Sequence, residues 1–189
     1  MCSSQNPDLL VQKIAEDLSL DRSVALGFEA PLYIPIPKLS SALSRARPGE
    51  NSRAWSAHAG LSVASLGIHQ AAWILREIRV KFEHCRVTVD VSQWPPSRGQ
   101  ATLFLWEAFV SNAAHSNDHR RDAATAVDFF VRHERELHIQ HALTEVETPL
   151  SLIGAAVIWS KWSSDVDNLF RETLVLRPDS KFSGDIGVL

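Results

Sequence analysis

Three acids sit where a carboxylate is costly or conspicuous. Glu29 ends the apolar run that starts at Val24, Glu107 lies inside Leu105-Trp-Glu-Ala-Phe-Val110, and Asp122 falls near the start of a helical pattern. A carboxylate among apolar neighbours is expensive to bury without a partner or a purpose. Brought together, Glu29, Glu107 and Asp122 would form a hard-oxygen site of the kind Mg²⁺ or Mn²⁺ takes, with substrate phosphate and water completing it. Two such ions about 4 Å apart clamp the attacking and leaving oxygens of a phosphodiester displacement. Each acid also has a plainer reading. Glu29 could cap a loop, Glu107 could pair with an arginine, and Asp122 could stabilise a helix N-terminus.

The loop Arg45-Ala-Arg-Pro-Gly-Glu-Asn-Ser-Arg53 follows closely on Glu29. Arginine forks grip phosphate through paired hydrogen bonds. Arg47 and Arg53 are therefore the candidate substrate-binding residues, and a solvated loop is the alternative. His119 and Asp122 stand at i, i+3 with His115 just before them. A zinc site would need a third well-spaced ligand, and Cys85 is not obviously near. His133, His138 and His141 lie in a charged stretch and read as solvent-facing. No dinucleotide fingerprint, phosphate-binding loop or nucleophile elbow occurs. Most of the six tryptophans fall within apolar patterns and read as core, with Trp55 and Trp94 the loop exceptions.

The elements that must position these residues follow from periodicity. Leu9, Leu10, Ile14 and Leu18 have helical spacing. Val24 to Glu29 reads as a buried strand, and Ala30 to Pro37 as a proline-stiffened extended loop. Lys38 to Ser56 reads as a surface loop, and the pattern Val63, Leu66, Ile74, Leu75, Ile78 as a long helix. Val87 to Val91 alternates as a half-buried strand does, and Trp94 to Gly99 reads as a turn. Ala101 to Val110 is nearly continuous in apolar residues, as expected of a strand covered on both faces. Asn112 to His119 reads as a loop ending in an N-cap at Asn117 or Asp118, with a helix over Asp122 to Val131. Pro149 to Trp162 reads as a helix apolar almost all round, and Thr173 to Leu176 as a last short strand.

Strands alternating with helices predict a single α/β domain over residues 1–189, a mostly parallel or mixed sheet with helices on both faces. In such sheets ligands bind beyond the carboxyl ends of the strands, where Glu29 and Glu107 are expected. The composition, 45% hydrophobic and 22% charged with a net charge of −3, excludes a disordered chain and a strongly basic DNA-wrapping protein. It does not exclude an enzyme that holds nucleic acid through metal ions and a local basic patch. Cys2 and Cys85 do not make a disulfide framework, and no apolar run reaches the length of a membrane span. The start is polar, so a cytoplasmic protein with no membrane partner is expected.

Ala25 to Pro37 resembles the strand, acid and proline-loop segment of a bacterial group of predicted nucleases with an RNase H-like fold. His119-Arg-Arg-Asp122-Ala123, followed by Ala126, is similar to the terminal helix motif of RNase H-like resolvases, in which the aspartate binds metal. The resemblance implies an RNase H-like mixed sheet. It also implies a metal-dependent phosphodiesterase or nuclease using Mg or Mn, with Glu29 as the second-strand acid, Asp122 as the helix acid and Glu107 as a further strand acid. Nucleic acid would then be the partner. That fold opens with a three-stranded antiparallel meander whose first strand carries an aspartate, whereas this chain begins with a helical pattern. A domain truncated at its N-terminus is the expectation. A catalytically silent binding or scaffold protein on the same fold is the alternative reading, with a small-molecule hydrolase a third.

Overall fold

The computed structural model describes residues 6–50, 54–57, 59–96, 100–143 and 148–184. The first helix, α1 (Pro7–Ser19), starts where Asn6 accepts the Asp8 N–H at 2.9 Å and Pro7 fills the first helical position. It buries Val11, Ile14, Ala15 and Leu18. Of the residues whose spacing predicts the helix, Ile14 and Leu18 lie in that stripe, Leu10 is half-buried and Leu9 is exposed. Strand β1 (Val24–Phe28) follows, then the short β2 (Tyr33–Pro35). The long helix α2 (Ala59–Lys81) leads to β3 (Arg86–Thr88), and β4 (Thr102–Ala108) forms the centre of the sheet. Helix α3 (His119–Arg132), β5 (Pro149–Ser151), α4 (Leu152–Trp159) and β6 (Val175–Leu176) complete the order.

The main sheet is parallel throughout. β4 pairs with β1 on one side and with β3 and then β6 on the other. All seven residues of β4 are buried, which is why its sequence runs apolar instead of alternating. The mixed sheet expected from sequence is therefore two units: four parallel strands, and a separate antiparallel pair of β2 with β5. The extended segment read as a proline loop supplies one strand of that pair. The first residues of the helix expected over Pro149 to Trp162 supply the other, with Ser151 capping α4 through Gly154 N–H at 3.1 Å.

Helices cover both faces of the parallel sheet. Leu103 and Leu105 of β4 pack with α1, α2 and α4, while Phe104, Trp106 and Ala108 pack with α3. This alternation is the period-two pleat of a strand, and it sets where every side chain at the carboxyl edge must go. Gly27 of β1 has a specific reason to lack a side chain. A Cβ there would sit 2.5 Å from Cζ2 of Trp106, whose indole lies flat on the strand and stacks on Phe130 at 5.1 Å. The Trp94–Pro95 peptide is cis, and the rest of the predicted turn, Ser97 to Gly99, lies outside the described residues. Among the described residues, no helix is long and apolar enough to cross a membrane.

Candidate metal centre

The carboxyl end of the parallel sheet gathers Glu29, His119 and Asp122, with one potential ligand atom from each lying within 4.8 Å of the others. Glu29 is the residue after β1. His119 and Asp122 occupy the first turn of α3, where the i, i+3 spacing puts them on one face. Asp118 starts that helix by accepting the Arg120 N–H at 2.9 Å. The N-cap therefore fixes the register in which both ligands face the strand end.

Asp122 is fully buried. Its Oδ1 accepts the Ser116 N–H at 2.7 Å. His115 Nδ1 lies 2.8 Å from Oδ2, an ion-pair contact, although its direction does not meet hydrogen-bond geometry. A buried carboxylate held by one N–H and one imidazole keeps lone pairs that a divalent cation could take. Three ligand atoms bound at about 2.0–2.2 Å by one ion lie roughly 3–4 Å apart, so side-chain rotation would close this group onto a cation. Two carboxylates and an imidazole suit Mn²⁺ or Zn²⁺ at least as well as Mg²⁺, because imidazole is a poor ligand for the hardest ions.

Glu107 does not belong to this group. It is the register partner of Phe28, so it projects to the face of α1, α2 and α4, opposite that of Glu29 and Asp122. There the Arg47 guanidinium grips it as a fork, Nη1 to Oε2 at 2.8 Å and Nη2 to Oε1 at 2.6 Å, and Oε2 also accepts the Leu32 N–H at 2.9 Å. The expectation of three converging acids is corrected to two acids and a histidine. The plainer reading of Glu107, an arginine partner, is the one the structure bears out.

Arg47 is corrected with it. It is 1% exposed, and besides Glu107 it binds Glu50 through Nε at 3.1 Å and Nη2 at 2.9 Å. Burial works against its charge, but the facing Glu107 and Glu50 carboxylates outweigh burial and hold the guanidinium above its ordinary range. No fork remains for a phosphate. The segment read as a solvated loop is thus pinned to the sheet by a buried ion network. Arg53 lies outside the described residues. On the turn that carries the site, Arg120 and Arg121 are exposed and form no ion pair among the described residues.

The other histidines depart in part from the sequence reading. His141 is half-buried, and its Nδ1 accepts the Val175 N–H at 3.0 Å. Burial lowers its pKa. His133 Nδ1 donates to Phe129 O at 2.8 Å, and its ring packs on that of Phe129. Cys85 is a free, half-buried thiol whose pKa burial pushes up to about 11, so it is no thiolate ligand at neutral pH.

A metal reading for His119 and Asp122 is available in the sequence, but its third ligand is not. Glu29 lies ninety residues away and becomes a neighbour only through the pairing of β1 with β4. The fold and site together define a mixed α/β protein with an acid and histidine cluster at the carboxyl edge of a parallel sheet. Comparison with protein-family models, with curated proteins and with solved structures finds no match for this chain.

Proposed function

We propose that this chain is a divalent-metal-dependent phosphodiesterase of RNase H-like type, acting on nucleic acid. The observation that carries the reading is the convergence of Glu29, His119 and Asp122 where the parallel strands end. Open α/β sheets bind their ligands at that edge. Glu29 and Asp122 supply negative charge, His119 supplies nitrogen, and His115 beside Asp122 Oδ2 orients that carboxylate from behind. A bound divalent ion contributes Lewis acidity toward a phosphoryl oxygen and lowers the pKa of water. Arg120 and Arg121, exposed on the same turn, are the cations placed to meet the phosphate. A cleft of about 540 Å³ bounded by Glu29 and His119 and lined by Pro31, Val63 and Phe109 adjoins the site, giving room for a base or sugar.

A second reading, a binding or scaffold protein on the same fold without catalysis, has its own observation. Glu107 is consumed by Arg47, which leaves two carboxylates at the candidate centre. One experiment separates the two. Mn²⁺ titration calorimetry on the wild type and Asp122→Asn is paired with hydrolysis of single-stranded, duplex and hybrid substrates. Binding and cleavage, both lost in Asp122→Asn, support the enzyme. Binding without cleavage of any substrate supports the silent protein. Absence of Mn²⁺ binding in the wild type rejects both metal readings.

A further inference from the structure

The opposite end of α2 carries a second feature, unrelated in composition to the metal centre. Gly60 and Val63, near the start of α2, line the cleft beside Glu29 and His119. Val80, near its end, lies about 30 Å further along at 1.5 Å per residue. There the ends of α2 and α4 enclose an open cleft of about 760 Å³. Its lining holds Arg76, Arg79, Lys81 and Lys161 against a single acid, Glu83, in a chain whose net charge is −3.

Two observations mark this cleft as more than a solvated helix end. First, Trp159 lines it and is 60% exposed, although it closes the most apolar helix of the chain. An indole left open at that level forgoes the burial that drives tryptophan inward. Second, two of the cations are unspent. Arg76 pairs with Glu77, and Arg79 is held by Glu83, by the Lys161 carbonyl and against the Trp162 ring. Lys81 and Lys161 form no ion pair among the described residues. The left-handed φ of Lys161 is the ordinary cap that ends α4, its N–H meeting Ile158 O at 2.9 Å and the Trp162 N–H meeting Val157 O at 3.0 Å. Offsetting the α2 dipole accounts for Arg79 and Lys81 in its last turn. It does not account for the bare indole.

We propose that this cleft binds single-stranded nucleic acid, with Trp159 stacking on a base and Lys81 and Lys161 meeting the flanking phosphates. An exposed aromatic ring set among spaced cations is the arrangement that holds a single strand without reading its sequence. An acidic peptide would use the cations and leave the ring idle. A duplex presents no free base face to the indole. The surface is independent of the metal centre and would serve an enzyme or a silent binding protein alike.

Fluorescence anisotropy with a labelled oligothymidylate, in low salt and with EDTA present, tests the cleft apart from any metal. Trp159→Ala should weaken binding about tenfold or more, and Trp159→Phe should retain most of it, as stacking energies of this kind imply. Lys81→Gln with Lys161→Gln should reduce the slope of log affinity on log salt by about 1.4, at roughly 0.7 per phosphate contact. Both lysines and the tryptophan are exposed, and circular dichroism of each variant confirms the fold. Three results would overturn the assignment. One is no saturable binding in low salt. Another is binding indifferent to Trp159→Ala. The third is equal affinity for polyglutamate or for anionic lipid vesicles with the same dependence on Trp159.

Discussion

Glu29 and Glu107 stand at the ends of adjacent parallel strands and face opposite sides of the sheet. The register sets Phe28 beside Glu107, so Glu29 falls one residue out of phase with it. One residue is half a pleat, and half a pleat exchanges one face for the other. Glu29 meets α3 and Asp122. Glu107 meets Arg47.

The first prediction follows from that division. Glu107→Gln should destabilise the fold by about 3 kcal/mol, because Arg47 keeps a buried charge with only Glu50 to balance it. Mn²⁺ affinity should stay unchanged. Urea denaturation and titration calorimetry on the same variant check both halves. A large loss of metal binding in a folded Glu107→Gln protein would return Glu107 to the metal centre.

Asp122→Asn should behave in the reverse manner. The Ser116 N–H still finds an oxygen, while the contact with His115 and the favourable charge in the first turn of α3 are lost, so the metal-free fold should be less stable by only about 1 kcal/mol. Saturating Mn²⁺ should raise the melting temperature of the wild type and leave Asp122→Asn unmoved. Thermal scans with Mn²⁺ and with EDTA make the comparison.

His115→Phe tests the residue behind the ligand. The ring approaches Asp122 Oδ2, and Glu29 and His119, which complete the candidate group, lie just past β1 and at the start of α3. Replacing it should lower Mn²⁺ affinity about tenfold, the usual cost of losing a group that orients a metal-binding carboxylate. An unchanged affinity would make His115 a bystander.

Gly27→Ala should cost about 1–3 kcal/mol, the ordinary penalty for overpacking. The added methyl meets the Trp106 ring, which is held from the other side by Phe130. A shifted tryptophan emission spectrum should accompany the lower urea midpoint.

His141 predicts a pH dependence. Burial lowers its pKa in the folded protein below the ordinary value of 6.5, and its unprotonated Nδ1 receives the Val175 N–H. The unfolded chain therefore binds the proton more readily. Stability from this site is complete above about pH 6.5 and declines as pH falls through the unfolded value toward the lower folded one. His141→Gln should flatten that part of the curve, measured as melting temperature against pH between 5 and 8. An equally steep decline in the variant would place the effect elsewhere.

Much of the local structure is legible in the chain because its causes are local. Helix α1, the continuous apolar run of β4, and the N-cap at Asp118 are short-range patterns, and each forms where the residues indicate. Asp122 reads as a helix-start acid and is one. Departures occur where a distant partner decides. Arg47 looks like a loop arginine until Glu107, sixty residues on, draws it into the interior. Ala30 to Pro37 looks like a stiff loop until β5 pairs with it. Trp159 ends a helix apolar all round, and periodicity cannot say which part of such a helix stays uncovered.

The sequence by itself determined the layered α/β class, the order of its main elements, and the placing of Glu29 at a strand end and Asp122 at a helix start. It could do so because helix and strand periods, caps and turns are written in neighbouring residues. Only the tertiary structure decided that Glu29, His119 and Asp122 gather at one place and that Glu107 serves Arg47. Strand register settles that choice, and register depends on pairing between segments about eighty residues apart, where no local pattern reaches.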